Sequence, residues 1–266
     1  LYACTGCDFH TIDSLDDFPA GQPDRTLLND QARRFIESKL PQNARQLGKA
    51  LQFVRSQVDP AGKEALDIGS GFGLFVSMLQ EAGATAQGIE PQQIFREFAL
   101  EKYRLELRGE RVDDPFWQNG FAGHFDLITL WDTLEHVNFP LETLTAAAGL
   151  LKPGGFLFLD TPSRDAFFYR ASEWSYRVSR GSKPLLLNRL YSPKPYRHKQ
   201  IFTAAQLSTL VDSSGLSIAG HSPFHRSGNK LVVVCSKNVS GQAGSEPESS
   251  GDSARNADRA DTRQGA

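Results

Sequence analysis

The chain has 266 residues, of which 39% are hydrophobic and 23% are charged, a composition that is ordinary for a globular protein with a buried core. Its 29 Lys and Arg residues nearly balance its 31 Asp and Glu residues, and the net charge of -2 excludes a uniformly basic nucleic-acid-binding protein. Three cysteines exclude a disulfide scaffold, and no apolar run reaches the ~18–20 residues that cross a bilayer. Because no basic-then-apolar signal segment begins the chain, the sequence predicts a cytoplasmic enzyme.

The first 62 residues precede the regular pattern of the chain. Residues 1–18 contain two of the three cysteines, and residues 19–62 are assigned to an N-terminal helical segment. Apolar residues recur at spacings of three and four over residues 27–58, which predicts helix. Pro41 is expected to divide this stretch into two helices, because proline lacks the amide proton that a helix interior uses.

From residue 64 onward, short apolar runs alternate with helical segments, which is typical of a parallel, doubly wound α/β sheet. The predicted strands are 65–68, 85–89, 105–107, 125–131 and 156–159, and the predicted helices are 74–82, 92–103, 141–151 and 204–214. Two further strands, 216–220 and 231–235, follow each other without a helix between them. They are expected to form an antiparallel hairpin at one edge of the sheet.

The C-terminal segment, residues 238–266, is rich in Ser, Gly, Ala, Asp and Arg, and no large apolar residue follows Val239. Such a segment cannot bury enough apolar surface to offset chain entropy, and it is predicted to be disordered. The α/β domain is therefore assigned to residues 63–237.

A glycine-rich loop, DIGSGFG at residues 67–73, separates the first strand from its helix. Glycines at alternate positions let the backbone approach a ligand, although a tight strand-to-helix turn would produce the same pattern. Glu90 ends the second strand 19 residues beyond Gly71, where a carboxylate can accept hydrogen bonds from both hydroxyls of a ribose. A solvated acid at a strand end is the alternative. The combination favours a nucleoside ligand.

The ligand of this loop is either a dinucleotide or S-adenosylmethionine (SAM). The dinucleotide fingerprint G-x-G-x-x-G needs a third glycine where this chain has Leu74. The negative charge of Asp67 would repel a pyrophosphate, whereas the cationic sulfonium and amino groups of SAM would tolerate or favour it. The residues therefore favour SAM over a nicotinamide cofactor (NAD(P)).

Four motifs in this order resemble those of class I SAM-dependent methyltransferases: ALDIGSGFG (65–73), GIEP (88–91), FDLITLWDTLEHV (125–137) and LLKPGGFLFLDTP (150–162). More narrowly, the chain resembles the group that has Leu-Glu-His after the fourth strand and a four-cysteine ribbon near the N-terminus. That group includes ubiquinone-biosynthesis-type O-methyltransferases and many sugar and small-molecule methyltransferases. The resemblance implies a seven-stranded sheet with a terminal antiparallel strand. Together with the residue patterns, it predicts a Rossmann-like, doubly wound α/β sheet with N-terminal helices and a helical cap insertion.

The resemblance also implies where SAM is bound. Glu90 would hold the ribose hydroxyls, and Glu110, with Arg111 beside it, would lie near the adenine amine. Trp131 would lie near the methyl donor. The residues implied around the methionyl part and the ribose are Asp67, Gly69, Ser70, Gly71 and Gly73.

Two histidines are the candidate catalytic residues. A base near neutral pKa helps methyl transfer to a hydroxyl, and histidine suits this task. His136, after the fourth strand, is the first candidate, and its alternative role is to pack under the cofactor and organise the loop. His198 resembles a family position near the acceptor, and its alternative is a solvent-facing loop residue.

The insertion at residues 163–200 is predicted to form a cap over the site. Its nine Lys and Arg residues against two acids give it a charge of +7, which leaves -9 for the rest of the chain. Aromatic residues interleave with these cations, a pattern that suits an anionic small-molecule acceptor, a membrane surface or nucleic acid. Nucleic acid is disfavoured because no RNA-binding module accompanies the insertion. A lid with solvated charges is the simpler interpretation.

The cysteines at the start of the chain offer half of a zinc site. Cys4 and Cys7 have the C-x-x-C spacing, but a closed structural site needs four ligands, and His10 would add only a third. The resemblance implies that the other cysteine pair of the ribbon would precede Leu1, so that residues 1–18 are a ribbon remnant. No metal is predicted, and a redox dithiol is disfavoured because no thioredoxin-like strand precedes the pair.

The predicted function is transfer of a methyl group from SAM to an oxygen of a small-molecule, lipid-linked or sugar-linked acceptor, with a nitrogen as the less favoured acceptor atom. One alternative is a SAM-binding regulatory protein without catalytic activity. The other is an NAD(P)-dependent oxidoreductase, against which Leu74 and Asp67 argue.

Overall fold

The computed structural model describes residues 2–12, 15–16, 27–183, 185, 187–191, 197–223 and 228–237. The predicted disordered tail, 238–266, lies outside the described residues. The strands are β1 (Tyr2–Ala3), β2 (His10–Thr11), β3 (Glu64–Ile68), β4 (Thr85–Ile89), β5 (Phe125–Leu130), β6 (Leu151–Pro162), β7 (Gln200–Ile201), β8 (Leu216–His221) and β9 (Lys230–Lys237). The helices are α1 (Asp30–Arg55), α2 (Leu74–Glu81), α3 (Gln93–Tyr103), α4 (Pro115–Gly120), α5 (Pro140–Leu150), α6 (Phe167–Val178), α7 (Leu187–Leu190) and α8 (Ala204–Ser213).

The central sheet has the strand order β4-β3-β5-β6-β9-β8. Its first four strands run parallel, and β9 runs antiparallel to both β6 and β8. Buried side chains of α4, α5 and α8 pack on one face of the sheet, and those of α1, α2 and α3 pack on the other. The predicted doubly wound sheet and its terminal hairpin are therefore confirmed.

The described part of the central sheet has six strands instead of the predicted seven. Residues 105–107 form no strand, and only Arg108 makes a parallel bridge, to Ile89. Arg108 donates its amide to the carbonyl of Gly88 at 2.9 Å and accepts the amide of Glu90 at 2.8 Å. Leu105 and Leu107 are buried against the α2–α3 side of the sheet. The apolar residues of this segment are therefore explained by their packing against the sheet, and the prediction of a strand at 105–107 was wrong.

Helix α1 is continuous through Pro41, so the prediction of two helices was wrong. The residues that anchor α1 to the fold, Ile36, Ala50 and Phe53, lie on both sides of the proline. Pro41 itself is exposed. Because the carbonyl that loses its amide partner there lies beside a solvent-exposed position, water can replace the missing hydrogen bond.

A second, smaller sheet joins the N-terminal segment to the cap. Its strand order is β1-β2-β7, all antiparallel. The cap contains α6 and α7, as the predicted helical insertion requires, and the guanidinium of Arg164 donates to both the carbonyl and the carboxylate of Asp8. Among the described residues, none of the helices is both long enough and apolar enough to span a bilayer.

Candidate active site

The loop between β3 and α2 is held in place by hydrogen bonds to the end of β4 and by hydrogen bonds within the loop. The amides of Gly69 and Ser70 both donate to the carbonyl of Ile89 at 2.9 Å, and the Ser70 hydroxyl donates to the carbonyl of Asp67 at 2.7 Å. Ser70 therefore holds the loop against the ends of β3 and β4, which fixes the positions of the amides that precede α2.

The three glycines of the loop have different surroundings. A Cβ on Gly69 would lie 2.3 Å from Thr133 Oγ1, and one on Gly73 would lie 2.9 Å from the Cβ of Ala99. Both glycines allow close packing within the protein. At Gly71, whose φ is 53°, a Cβ would meet nothing within 4 Å among the described residues. Of the three loop glycines, Gly71 alone leaves open space above the backbone, and its left-handed conformation favours glycine.

Glu90 lies against Gly71 in the structure. Its two carboxylate oxygens accept the amides of Gly71 and Gln92, each at 2.8 Å, and the residue is 4% exposed. Burial raises the pKa of Glu90 to about 7. A carboxylate oriented by two amides keeps lone pairs that can accept hydroxyl groups of a ligand over Gly71.

Of the remaining predicted cofactor residues, Asp67, Glu110 and Trp131 have buried polar atoms, whereas Arg111 is exposed. Asp67 is buried and its carboxylate accepts the hydroxyl of Thr129 at 2.6 Å. Trp131 Nε1 and Glu110 Oε2 are buried and have no hydrogen-bond partner within the described part of the chain. Unsatisfied buried polar atoms suit the contacts of a polar ligand. Arg111, in contrast, is exposed and pairs with the carboxylate of Asp113 at 2.7 Å.

The buried carboxyl of Asp67 predicts a pH-dependent stability. Burial raises its pKa from 3.8 to about 7 in the folded protein. The contribution of the protonated Asp67 to the free energy of unfolding is fully present below about pH 4. This contribution is lost as the pH rises through about 7, because the folded state must then bury a charge. Compared with wild type, Asp67→Asn should therefore gain stability between pH 4 and pH 7, by roughly 4 kcal/mol at most. Chemical denaturation at several pH values measures this difference.

Asp126 provides the control for that experiment. Burial is the largest single influence on Asp126 and opposes its ionisation, but the hydrogen bonds from Lys152 and the Glu64 amide and the positive charges of Lys152 and Lys63 together outweigh it and lower the pKa of this carboxyl. Asp126→Asn should therefore remove stability that is present at neutral pH and lost as the pH falls. If the difference in unfolding free energy between Asp67→Asn and wild type did not change between pH 4 and pH 7, the pKa of Asp67 would be the same in the folded and unfolded states. The raised pKa would then be contradicted.

A second cluster, formed by Glu135, His136 and His198, follows β5. The Nε2 atoms of His136 and His198 lie 3.8 Å and 3.9 Å from Glu135 Oε1, and the ring centroids are 4.7 Å apart. Glu135 is fully buried, and neither of its carboxylate oxygens has a hydrogen-bond partner among the residues described. The structure thus brings together the two predicted catalytic histidines around an acid to which the sequence analysis gave no role.

Burial governs the ionisation of this cluster. It raises the pKa of Glu135 well above its ordinary value, and the neighbouring Asp132 raises it further. Burial also lowers the pKa of His136 to about 4 and, to a smaller extent, the pKa of His198. At neutral pH both imidazoles are therefore uncharged, which is the form that can accept a proton.

The cluster adjoins the glycine loop through Thr133. The Thr133 hydroxyl donates to the carbonyl of Ile68 at 3.1 Å, and the same side chain packs on Gly69. The amide of His136 donates to the carbonyl of Thr133 at 2.9 Å. One turn of backbone therefore connects the residue that contacts the loop with the candidate base.

The mouth of the site carries an ion-pair network that the sequence analysis did not find. Lys230 Nζ bridges Asp132 and Asp160, at 2.5 Å and 2.8 Å. Asp132 has a φ of 47°, and its amide donates to the Asp160 carboxylate. This network holds the turn after β5 in a left-handed conformation that non-glycine residues adopt at an energetic cost.

The geometry of Glu135, His136 and His198 also suits a cation. One ligand atom from each residue lies within 4.8 Å of the other two, and a carboxylate with two imidazoles is a common donor set for divalent transition metals. The sequence predicts no metal, and this stays a prediction.

Comparisons with known proteins identify the family. The model of the "Methyltransferase domain" family matches residues 36–220. The ubiquinone biosynthesis O-methyltransferase of Nitrosococcus oceani is 36% identical over 66% of this chain and 72% of its own length, and that of Vibrio parahaemolyticus is 29% identical over 66% and 73%.

Solved structures agree on the fold. Magnesium protoporphyrin IX methyltransferase from Synechocystis, with bound S-adenosylhomocysteine (SAH), has a TM-score of 0.52 at 14% identity, covering 73% of this chain and 83% of its own. An O-methyltransferase family protein from Burkholderia thailandensis has a TM-score of 0.54 at 19% identity, covering 80% of this chain and 61% of its own. The chain belongs to the class I SAM-dependent methyltransferases, and it transfers a methyl group from SAM to an oxygen atom.

Proposed function

We propose that the chain methylates a hydroxyl group of a lipid-linked acceptor at the surface of an anionic membrane, with His136 and His198 providing the base. The curated relatives are named for the biosynthesis of ubiquinone, and ubiquinone is a membrane lipid. The observation that carries the membrane part of the proposal is the outer face of α6.

Helix α6 exposes an apolar stripe on the face opposite its buried side. Phe167, Trp174 and Val178 recur at helical spacing and are 77%, 69% and 64% exposed. Tyr169 and Ser172 on the other side of the helix are buried against the protein. A helix that is apolar on the side facing water suits insertion into the headgroup region of a bilayer.

Positive charges border this stripe. Arg170 and Arg177 flank it on one side, Arg180 and Lys183 follow it, and all four side chains are exposed. Each cation near an anionic membrane contributes about 1 kcal/mol to binding. The combination of exposed aromatic residues with arginines favours an anionic lipid surface over a protein partner.

SAM is proposed to lie over Gly71. Glu90 would accept the ribose hydroxyls, and the buried polar atoms of Glu110 and Trp131 would find partners on the cofactor. Asp67 is proposed to face the cationic side of the ligand. When bound, SAM supplies the electrophilic methyl group.

The acceptor hydroxyl is proposed to lose its proton to His136 or His198. Because burial keeps these rings uncharged at neutral pH, each can accept the proton as the acceptor oxygen attacks the methyl carbon. Glu135 Oε1 lies within 4 Å of both Nε2 atoms, and the imidazolium that forms would favour the ionised form of this buried acid, so that the two charges would pair.

Vesicle binding tests the membrane proposal. The wild-type chain should sediment with vesicles that contain phosphatidylglycerol and not with vesicles of phosphatidylcholine alone. Phe167→Ser combined with Trp174→Ser should weaken binding by at least about tenfold, because two exposed aromatic side chains no longer enter the bilayer. Methyl transfer to a hydroxylated ring on a polyprenyl chain should fall in parallel.

The matched control is Phe35→Ser, which removes an aromatic side chain of similar exposure from α1. This variant should bind vesicles as the wild type does, and all variants should keep their affinity for SAH. Equal vesicle binding by the α6 double variant and the wild type would rule out α6 as the membrane contact. Faster turnover on the same ring without its polyprenyl chain would rule out a lipid-linked acceptor.

A further inference from the structure

The N-terminal segment reaches the active site through a buried ion pair. Lys199 Nζ lies 2.6 Å from Asp16 Oδ1, and the two side chains are 2% and 3% exposed. Asp16 precedes the residues that the methyltransferase-domain model matches, 36–220. A buried ion pair commonly contributes less to stability than an apolar pair of the same size. Its presence at this position is therefore better explained by the geometry that it imposes.

Lys199 links three segments through its backbone. Its amide donates to the carbonyl of Glu135 at 2.8 Å, and its carbonyl accepts the amide of Ile12 at 3.0 Å. His198 directly precedes it in the chain. The position of Lys199 consequently sets where the His198 ring lies relative to Glu135.

Asp16 also holds the segment that carries His136. The amide of Asp16 donates to Asn138 Oδ1 at 2.9 Å, and Asn138 Nδ2 donates to the carbonyl of Asp16 at 2.8 Å. Asn138 lies two residues after His136. One residue thus contacts both histidine-bearing segments, with its side chain on one and its backbone on the other.

We infer that Asp16 and Lys199 are positioning residues, and that the segment carrying Asp16 holds His136 and His198 at their present spacing around Glu135. Neither residue needs to contact the acceptor or SAM for this role. The inference rests on the proposed function only for the catalytic consequence of the spacing, since the spacing itself can be measured independently.

The test replaces the ion pair by an apolar pair, with Asp16→Leu combined with Lys199→Met. Replacing both charges avoids the cost of leaving one buried charge unpaired, so the melting temperature should stay within a few degrees of wild type. The Kd for SAH should stay within about twofold, because Gly71 and Glu90 are untouched. The kcat should nevertheless fall by about tenfold or more, since small displacements of a base are costly for the rate.

Two further variants separate positioning from folding. Asp16→Asn should be destabilised, because Lys199 then loses its buried partner, and Asp16→Glu should regain part of the kcat. The side-chain NMR signals of His136 and His198, assigned by His136→Asn and His198→Asn, should shift in the apolar double variant. Wild-type kcat together with unshifted histidine signals in that variant would overturn the inference. Shifted signals in a chain whose double variant, His136→Asn with His198→Asn, keeps full activity would instead contradict the proposed base.

Discussion

A Gly71→Val variant should lose measurable binding of SAH in isothermal titration, which corresponds to a loss of affinity of at least about a hundredfold. The open space above Gly71 would be filled by the new side chain, and this space adjoins the carboxylate of Glu90. A β-branched residue at a φ of 53° would also strain the loop and disturb the hydrogen bond from the Gly71 amide to Glu90. Both effects act on the surface that is proposed to hold the ribose.

Gly62→Val is the matched control for this substitution. Gly62 also has a positive φ, of 70°, and a Cβ there would likewise meet nothing within 4 Å among the described residues. The two variants should therefore lose similar stability, on the order of 1–2 kcal/mol, whereas only Gly71→Val should lose the ligand. If Gly71→Val bound SAH with wild-type affinity, the cofactor would lie elsewhere in the protein.

Replacement of His136 by asparagine should lower kcat by about 10²–10⁴-fold and leave the affinity for SAH within about twofold. The ring lies beside Glu135 and His198, whereas the proposed cofactor surface is formed by the preceding loop. Because the two imidazoles are adjacent, His198 can take over part of the proton transfer. The double variant should consequently lose more activity than the product of the single losses.

His124→Asn supplies the control for the histidine variants. His124 lies 3.6 Å from the carboxylate of Glu64, on the part of the chain that leads into β5, and its side chain is 42% exposed. This variant should turn over at the wild-type rate. Unchanged kcat in the double variant, His136→Asn combined with His198→Asn, would remove the base from the proposed mechanism and leave the methyl transfer to alignment of the two substrates.

The sequence predicted the parts of the site that depend on local pattern. A strand, a glycine loop and a helix follow each other directly in the chain, and the acid that ends the next strand is fixed by the parallel pairing of β3 with β4. The strand end that carries Glu90 therefore lies beside the loop, and the Gly71 amide nitrogen is 2.8 Å from Glu90 Oε2. The terminal hairpin could be predicted because two apolar runs followed each other with no helix between them.

Features that depend on burial could not be predicted in this way. Helix α1 continues through Pro41 at an exposed position, where water can replace the missing hydrogen bond, and the sequence does not show which face of α1 is exposed. Glu135 was present in the quoted motif, but its burial between two histidines depends on His198, which is 63 residues away. Its position directly before His136 at the end of a strand was the one local signal that could have drawn attention to it.

The contact between Asp16 and Lys199 could not be predicted from any local sequence pattern. The two residues are separated by 183 positions, and neither belongs to a motif. Because lysine and aspartate side chains in loops are usually solvated, the residue types alone predict that both side chains are exposed. The antiparallel pairing of β2 with β7 brings the two segments together.

The placement of β9 between β6 and β8 has a consequence for biosynthesis. Residues 230–237 are the last of the described chain, yet they fill an interior position of the sheet, and Val232 to Cys235 are buried there. Until the ribosome has released them, the nascent polypeptide presents β6 as an open edge of apolar residues that can pair with another chain. A product truncated before Lys230 should therefore aggregate, although every residue of the proposed catalytic cluster would already have been synthesised.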